Sequence, residues 1–173
     1  MNSADFTLRP AQPGDLADIQ HIGLEADERF VAAGHPELAD GEAIPATVVL
    51  QATGQGRLLV AEVGGAVVGW VYVGWIGGEL SIGQISVAPS SGRRGIGSAL
   101  LGAVILKARA GGEASIVLNT QADVAWNRPW YERHGFVVVE REEWTPGMET
   151  VAEDQSRGGL DWSSRVHMRL ILG

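Results

Sequence analysis

The sequence predicts one domain over residues 1–173, of the mixed α/β class, with a mixed sheet flanked by helices. Its 173 residues and 45% hydrophobic content suit a single compact core. Its 24 glycines are too many for a helical bundle and cluster in pairs where turns are expected. A hairpin in the first half and a strand–loop–helix unit at the centre complete the pattern of a mixed sheet.

The first half of the chain contains a predicted strand, two helices and a hairpin. Pro13 suits the first turn of a helix, and the carboxylate of Asp15 is favourable at its positive end. Gly64-Gly65 between two β-rich runs is a strong signal for a two-residue hairpin turn. The predicted elements are a strand over Phe6–Arg9, a helix from Pro13, a helix over Pro45–Ala52 and a hairpin of Leu58–Val63 with Ala66–Trp75.

The next strand, over 80–87, changes the side on which its apolar residues lie. Leu80 and Ile82 are apolar at even positions, whereas Ile85 and Val87 are apolar at odd positions. A flat strand keeps one parity, so the change beside Gly83 predicts a β-bulge. A bulge turns the strand end away from its neighbour and so favours a cleft.

The second half of the chain alternates helices and strands. Gly111-Gly112 and Gly135 are suited to end the helices that precede them. The polar, acidic segment over Thr145–Gly159 is predicted to be a helical insertion. The other elements are a helix over Gly97–Ala110, a strand over Ser115–Thr120, a helix over Trp126–His134, a strand over Phe136–Arg141 and a final strand over Val166–Leu172.

Composition argues against several function classes. A net charge of −8 disfavours nucleic acid, whose phosphate backbone is bound by many Lys and Arg side chains. The absence of cysteine removes disulfides, Cys nucleophiles and Cys metal ligands. The four histidines lack the spacing of a local metal pair, so no metal is expected. We find no signal-peptide pattern and no apolar run of membrane-spanning length, so we expect a cytoplasmic protein without a membrane partner.

The seven residues Gly92-Arg93-Arg94-Gly95-Ile96-Gly97-Ser98 form the segment most suited to bind a ligand. They join the strand over 80–87 to a helix, and the first N–H groups of a helix bind anions with the help of its dipole. Glycines let the backbone approach a phosphate, and arginines add charge-assisted contacts. The glycine order is the reverse of the dinucleotide-binding G-x-G-x-x-G, and the G-K-[ST] of ATP-binding loops is absent, so NAD and ATP are disfavoured.

These residues resemble the GNAT superfamily of N-acetyltransferases, whose acetyl-CoA loop is Q/R-x-x-G-x-G/A. The match runs through Ile85-Ser86-Val87-Ala88-Pro89 and then Arg94-Gly95-Ile96-Gly97-Ser98-Ala99-Leu100. Phe6–Ala11 resembles the family's first strand, and Asn127–Phe136 resembles its Y-x-x-x-G-F segment. The resemblance covers nearly the whole chain. It implies a GNAT-like acyl-CoA N-acyltransferase fold, with a mostly antiparallel central sheet and a splayed pair of fourth and fifth strands.

The resemblance also implies an activity and a site. The activity is transfer of an acetyl group from acetyl-CoA to a primary amine, by direct attack in a ternary complex. Tyr131 matches the usual general acid for the CoA sulfur, and a phenol with a pKa of about 10 stays protonated at neutral pH. Gly92 departs from the family's Gln or Arg, and Arg93 or Arg94 is expected to compensate. The implied cofactor contacts are Ile85, Ser86, Val87, Arg93, Arg94, Gly95, Ile96, Gly97, Ser98, Ala99, Asn119, Asn127 and Tyr131.

No motif marks the general base. Family members often use a carboxylate on the fourth strand, where this chain has Gln84. Glu28, at the end of the first helix, is the predicted base, with His35 and Glu79 as alternatives. Each of these three residues is also of a type that commonly lies on a protein surface.

Other functions stay open beside the enzyme. A CoA-binding module without turnover is compatible with Gly92 and with the unmarked base, and an acyltransferase for another acyl-CoA shares the scaffold. Amino acids, polyamines, aminoglycosides and protein N-termini all fit as acceptors, and homodimers are frequent in the family. Trp75, Trp126 and Trp130 are candidates for an acceptor pocket, whereas Trp70 is expected in the core.

Overall fold

The computed structural model describes residues 5–173, which form five α-helices and seven β-strands. The helices are Leu16–Ala32 (α1), Ala46–Gly54 (α2), Ile96–Ala110 (α3), Arg128–Arg133 (α4) and Pro146–Arg157 (α5). The strands are Thr7–Pro10 (β1), Leu58–Val63 (β2), Ala66–Ile76 (β3), Glu79–Val87 (β4), Ser115–Gln121 (β5), Val137–Val138 (β6) and Arg165–Ile171 (β7). No helix in this described part is long and apolar enough to cross a bilayer.

Hydrogen bonding places the strands in the order β1-β2-β3-β4-β5-β7-β6. The pairs β1–β2, β2–β3, β5–β7 and β7–β6 are antiparallel, whereas β4–β5 is parallel. The parallel register comprises two pairs, Leu80 with Ile116 and Ser81 with Val117, against seven pairs between β5 and β7. This short contact in a mostly antiparallel sheet confirms the predicted mixed sheet with a splayed β4/β5 pair.

Contacts divide the chain into two compact units. Unit 1 holds the residues up to Val73 together with Gly83–Val104, and unit 2 holds Gly74–Ile82 and Ile105–Gly173. The prediction of a single domain is untested by this division and stays a prediction. One core cluster of unit 1 comprises Ala11, Ile19, Ile22, Val49, Ala52, Leu58, Val60, Trp70 and Ala88, and one of unit 2 comprises Ile76, Val117, Val139 and Met148.

The start of α1 is fixed by an ion pair in unit 1. Pro13–Asp15 forms a 3₁₀ turn, so the α-helix begins three residues later than the sequence predicts. Asp15 accepts a hydrogen bond from the N–H of Gln12 (2.8 Å) and two from the guanidinium of Arg9 (2.8 and 3.0 Å). The hydrogen bonds from Arg9 hold the pKa of Asp15 below its ordinary value. A charged carboxylate therefore caps this turn.

Two predicted elements of unit 2 are wrong in extent. The strand predicted over Phe136–Arg141 is reduced to the two residues of β6, followed by one further backbone bond to β7, from the N–H of Val139 to the carbonyl of His167 (2.9 Å), before the chain turns at Arg141–Glu143. The helix predicted over Trp126–His134 begins at Arg128. Pro129 has no N–H to donate to residue 125, so it is accommodated only in the first turn.

The strand β4 has no simple alternation of buried and exposed residues. Leu80, Ser81 and Ile82 are all buried, and near its end Ser86 is buried while Ile85 and Val87 are half-buried. The side chains of Ile85 and Val87 therefore lie only partly in the core. The predicted bulge beside Gly83 stays a prediction, and the structure shows a register shift that the sequence did not indicate, at Ala61/Glu62 in β2.

Two hairpin turns have the same sequence and the same backbone conformation. The φ angles are +56° and +87° in both Gly64-Gly65 and Gly77-Gly78, which only glycine adopts readily. A Cβ added to either residue of the first turn would meet nothing within 4 Å. At Gly77 it would lie 3.1 Å from the Cα of Gly147, in the first turn of α5. The first turn is therefore open and the second is covered.

Candidate active site

The predicted phosphate loop lies in unit 1, after β4. A 3₁₀ turn over Pro89–Ser91 leads from the strand to the loop, and α3 begins at Ile96. Arg93 and Gly95 both adopt left-handed conformations, with φ of +58° and +80°. A non-glycine residue with positive φ is uncommon and often marks a functional turn. The loop therefore reaches the helix through two left-handed residues.

Packing beneath the loop holds the start of α3 in place. Ile96 is buried, and the N–H of Ala99 donates to the carbonyl of Gly95 (2.9 Å), closing the first helical turn. A Cβ added at Gly69 on β3 would lie 3.2 Å from Cγ2 of Ile96 and 3.1 Å from the carbonyl of Ser86. The absence of a side chain at Gly69 thus lets β3, β4 and α3 approach closely. This packing fixes the direction of the first N–H groups of the helix.

The exposed surface of the loop suits a phosphate. Gly92, Arg93, Arg94, Gly95 and Ser98 are exposed, whereas Gly97 and Ala99 are half-buried. The first N–H groups of a helix have no carbonyl one turn back, so they are available to an anion along with the positive end of the dipole. Gly92 has φ of −63°, a value that any residue adopts, so its backbone does not require glycine.

The strand residues before the loop offer backbone and polar groups. Ile85 and Val87 are half-buried, and Ser86 is buried. The side-chain amide of Gln84 donates from Nε2 to Oγ of Ser86 (3.1 Å). An amide in this arrangement positions neighbours by hydrogen bonding and accepts no proton at neutral pH. It confirms that β4 presents no carboxylate at residue 84.

Tyr131 lies in unit 2, on α4. Its ring meets Trp130 edge-on at 4.8 Å and Phe136 at 5.6 Å between centroids. Burial raises the pKa of the Tyr131 phenol above its usual value, although the residue as a whole is half-buried. The phenol therefore stays protonated across the neutral range. A protonated hydroxyl is what a general acid requires.

The two predicted amide contacts also lie in unit 2, and both have a local role. Asn119 on β5 accepts a hydrogen bond at Oδ1 from Nη2 of Arg165 (2.5 Å). Asn127 precedes α4 instead of lying within it, and its carbonyl accepts from the N–H of Tyr131 (3.0 Å). Its side chain makes no capping hydrogen bond. The prediction that the helix already includes Asn127 is wrong, because Asn127 has φ of −107° and ψ of −101°, outside the helical region.

The structure places the three predicted bases in different surroundings. Glu28 is exposed on α1. His35 is buried, with Nδ1 3.0 Å from Oε1 of Glu37. Glu79, in unit 2, accepts from Nε and Nη2 of Arg169 (2.9 and 2.8 Å) and from the hydroxyl of Ser115 (2.8 Å). These bonds, those from Arg169 above all, hold the pKa of Glu79 below its ordinary value, so it is a poor base.

Sequence reasoning missed Asp27, the neighbour of Glu28. Asp27 is half-buried in unit 1, and burial together with the negative charge of Asp40 raises its pKa to about 6. A signal was available in the helix pattern. Asp27 lies four residues after the buried Gly23 and therefore on the packed side of α1.

The tryptophans divide between core and surface. Trp70 is fully buried, as expected, whereas Trp75 is 55% exposed. Trp126 lies before α4, so the prediction that it shares a helical face with Trp130 is wrong. The sequence did not single out a groove in unit 2 where Trp144 meets Trp162 edge-on at 5.4 Å. The groove is lined by Arg141, Trp144, Glu149, Ala152, Glu153, Ser156, Arg157, Trp162 and Arg165.

Known proteins share this fold. Residues 54–138 match the family model of the acetyltransferase (GNAT) domain. Ard1 from Thermoplasma volcanium has 20% identity and a TM-score of 0.67, with 96% of this chain and 97% of that one covered. The ribosomal-protein-S18-alanine N-acetyltransferase from Escherichia coli has 19% identity and a TM-score of 0.67, with 97% and 94% covered. PaiA N-acetyltransferase from Thermoplasma acidophilum, in complex with coenzyme A, has 14% identity and a TM-score of 0.66, with 96% and 98% covered.

At these identities the solved structures show likeness of fold, whereas the family model matches the sequence itself. The matched residues include the loop after β4 and the segment that carries Tyr131. Residues 54–138 thus match the acetyltransferase (GNAT) domain in sequence, and the fold of the described chain is that of known acetyltransferases.

Proposed function

We propose that this protein transfers the acetyl group of acetyl-CoA to a primary amine by direct attack in a ternary complex. The observation that carries the proposal is the loop between β4 and α3, where left-handed Arg93 and Gly95 precede an exposed helix start. Such a start binds the diphosphate of CoA through backbone N–H groups. Coenzyme A is bound in the related PaiA structure, which supports the choice of ligand.

The backbone of Ile85, Ser86 and Val87 is proposed to hold the pantetheine arm, as an added strand beside β4. An N–H group there polarises the thioester carbonyl, because it stabilises the negative charge that develops on that oxygen during attack. Asn119 and Asn127 stay predicted contacts of the CoA arm. The acetyl group supplies the acyl carbon, and coenzyme A leaves as a thiolate.

Tyr131 is the proposed general acid. Its raised pKa keeps the phenol protonated, so the proton is available when the thiolate departs. Donating that proton stabilises the leaving group, whereas a buried tyrosine with a packing role alone affects only stability.

Turnover separates the enzyme from a CoA-binding module. The protein is incubated with acetyl-CoA and spermidine, kanamycin, glutamate or an alanyl peptide, and free thiol is measured. We expect release that depends on one of these amines. Binding of CoA in a thermal-shift assay with no thiol release from any amine would favour the module instead.

Replacing Tyr131 with Phe is expected to lower kcat at least 10-fold while leaving the Kd for acetyl-CoA within about two-fold, because general acid catalysis contributes roughly 10²–10⁴-fold. Steady-state thiol release and calorimetric titration measure the two quantities. Tyr72→Phe is the matched control, since it deletes the same oxygen from the other tyrosine, whose hydroxyl lies 3.2 Å from Nη1 of Arg57. An unchanged kcat across pH in Tyr131→Phe would rule out the acid role.

A further inference from the structure

A half-buried carboxylate without a partner lies on α1 in unit 1. Within residues 5–173, Asp27 makes no hydrogen bond and no ion pair; its one specific electrostatic neighbour is Asp40, of like charge. Two other carboxylates of the same unit that are at least partly buried are paired, since Asp15 and Glu62 both accept from Arg9 at 2.8 Å. Leaving a carboxylate desolvated and unpaired is costly. Because no contact within the described part of the protein offsets this cost, we expect the Asp27 carboxylate to interact with a ligand.

Asp27 lies on the side of α1 that also carries Gly23 and Val31. Gly23, Asp27 and Val31 are spaced four residues apart, so they lie one above the other on one side of the helix. Gly23 is buried, Asp27 is half-buried and Val31 is 53% exposed. Asp27 therefore stands where this side of the helix passes from the core to solvent. An amine reaching it from solvent would cross no protein layer.

Gly23 brings this side of the helix onto the sheet beside the proposed reaction centre. A Cβ added at Gly23 would lie 3.3 Å from Cζ2 of Trp70 and 3.8 Å from Nε2 of Gln84. Gln84 directly precedes Ile85, where the thioester is proposed to bind. One helical turn rises by about 5.4 Å, so Asp27 lies about one turn along the helix from a contact with β4. An acceptor that uses both groups would therefore have to span about one helical turn between Asp27 and β4.

We infer that Asp27 is the catalytic residue that takes the proton from the acceptor's ammonium group, in place of Glu28. The inference rests on the proposed acetyl transfer. The ammonium R–NH₃⁺ gives one proton to the Asp27 carboxylate and becomes R–NH₂. The nitrogen lone pair then forms the C–N bond as the C–S bond breaks. Tyr131 protonates the departing thiolate and recovers a proton from the new amide nitrogen, and the proton on Asp27 passes to solvent.

The titration of Asp27 supports this role. Burial, followed by the charge of Asp40, raises its pKa to about 6, so the group is ionised at neutral pH yet more basic than an ordinary aspartate. The other titratable groups on α1 itself are Asp18, His21, Glu25, Glu28 and Arg29. The loop after the helix carries Glu37 with its partner His35, and Glu42, while Asp15, before the helix, is paired with Arg9. No titratable residue lies in α2, and β3 and β4 present Trp70 and Gln84 to the helix.

The test compares three variants of α1 with the amine that gives the fastest thiol release. Asp27→Asn is expected to lower kcat/KM at pH 7.5 at least 10-fold, with an unchanged Kd for acetyl-CoA. The rise of wild-type kcat/KM through about pH 6 should be absent from this variant. Asp18→Asn, the same change at an exposed aspartate on the same helix, should keep the wild-type values. Glu28→Gln tests the rival carboxylate next to Asp27.

The Tm of Asp27→Asn is a second readout. A catalytic role predicts an unchanged or higher Tm, whereas a structural role predicts a lower one. Because the folded-state pKa of Asp27 is raised, the ionised group opposes folding above about pH 6, and this penalty is absent below about pH 4. Asp27→Asn should therefore match or exceed the wild-type Tm at pH 8 while losing activity. A lower Tm at pH 8 together with wild-type kcat/KM would assign Asp27 a structural role and overturn the inference.

The remaining outcomes are also decisive. Wild-type kcat/KM in Asp27→Asn, or a loss confined to Glu28→Gln, overturns the inference and leaves the acetyl transfer standing. A wild-type protein that releases no thiol with any amine overturns the proposed function and this inference with it.

Discussion

Arg93 holds a left-handed backbone conformation in a loop that contains three glycines. Such a conformation costs about 1–2 kcal/mol for a residue with a Cβ, and asparagine tolerates it better than most. Its persistence next to a helix start fits a guanidinium held ready for a phosphate. The left-handed conformation thus lowers the stability of the folded protein, but it also directs the Arg93 side chain.

Arg93→Asn is therefore expected to weaken CoA binding about 3- to 10-fold, since one charge-assisted contact is lost from an exposed site. The Tm without ligand should stay the same or rise, because strain is relieved. Calorimetric titration and thermal unfolding measure the two effects. Acetyl-pantetheine, which lacks the diphosphate, is the control ligand, and a parallel loss of its affinity would contradict a phosphate role.

At the residue scale, the sequence predicted the loop better than the base. The loop is local: Gly95, Ile96 and Gly97 lie in consecutive positions, and their spacing alone indicates a helix start that binds an anion. Asp27 and Glu28 are adjacent and chemically alike, and the difference between them is which side of α1 is packed. That difference depends on Gly23 meeting β3 and β4, which are distant in sequence.

At the element scale, β4 depends on a contact that its own sequence does not reveal. A Cβ added at Gly83 would collide with the ring atoms Cδ1 and Cε1 of Tyr72, on β3. The ring itself is held by Arg57, whose Nη1 donates to the Tyr72 hydroxyl and to the carbonyl of Val73 (2.9 Å). Gly83 is therefore required by its neighbour across the hairpin, in addition to any bulge.

Gly83→Ala is expected to lower the free energy of unfolding by about 1–3 kcal/mol, because the added methyl group displaces an aromatic ring. Gly102→Ala is its control: this glycine lies inside α3 with nothing within 4 Å, so alanine should raise stability by about 0.5–1 kcal/mol. Urea unfolding gives both values. Equal effects of the two substitutions would show that the Tyr72 ring moves aside without cost, which would contradict this prediction.

The extents of the short elements were the least predictable. The residues Val137–Val139 are all β-branched and apolar, and local pattern alone favours a longer strand than β6. The last backbone bond to β7 is made by the N–H of Val139, and the chain then turns away at Arg141–Glu143, so the strand ends early. In contrast, α5 was predicted well, since Thr145 accepts from the N–H of Met148 (3.3 Å) as an N-cap and Pro146 takes the first turn.

At the scale of the whole molecule, three groups with lowered pKa values reduce stability as the pH falls, whereas Asp27, with its raised pKa, acts in the opposite direction. The pKa values of Asp15 and Glu79 are lowered by their arginine partners, whereas burial lowers the pKa of His167. A lowered pKa contributes stability above the unfolded value and loses it as pH falls through the folded value. Stability should therefore begin to fall below about pH 6.5 with His167, and fall further below about pH 4 with the carboxylates.

Glu79→Gln tests the carboxylate part of this profile. The variant loses charge-assisted hydrogen bonds from Arg169, so its unfolding free energy at pH 7 should drop by about 1–2 kcal/mol, a figure reduced for partial exposure. The gap in Tm to wild type should narrow as pH falls below about 4, because Glu79 becomes protonated first in the unfolded chain and, at lower pH, in the folded protein. Glu132→Gln, in the exposed pair with Arg128, should change Tm little. A gap that stays constant with pH would contradict this account.

The overall architecture was predictable because several local sequence signals each indicate one element. These signals are the glycine pairs between strands, the loop before a helix and the capped helical insertion. The net charge of −8 fits an acceptor that carries positive charge, but charge alone selects no particular amine. The division into two compact units was not visible in the sequence, since β3, β4 and α3 each contribute residues to both.

The two Gly-Gly turns determine where this protein can be labelled. A peptide tag, a split-reporter fragment or a spacer inserted between Gly64 and Gly65 enters open space, so expression and folding should be preserved. The same cassette between Gly77 and Gly78 must push aside Gly147 and the beginning of α5. For immobilisation or fluorescence work, identical dipeptides thus offer one usable attachment point and one that should be avoided.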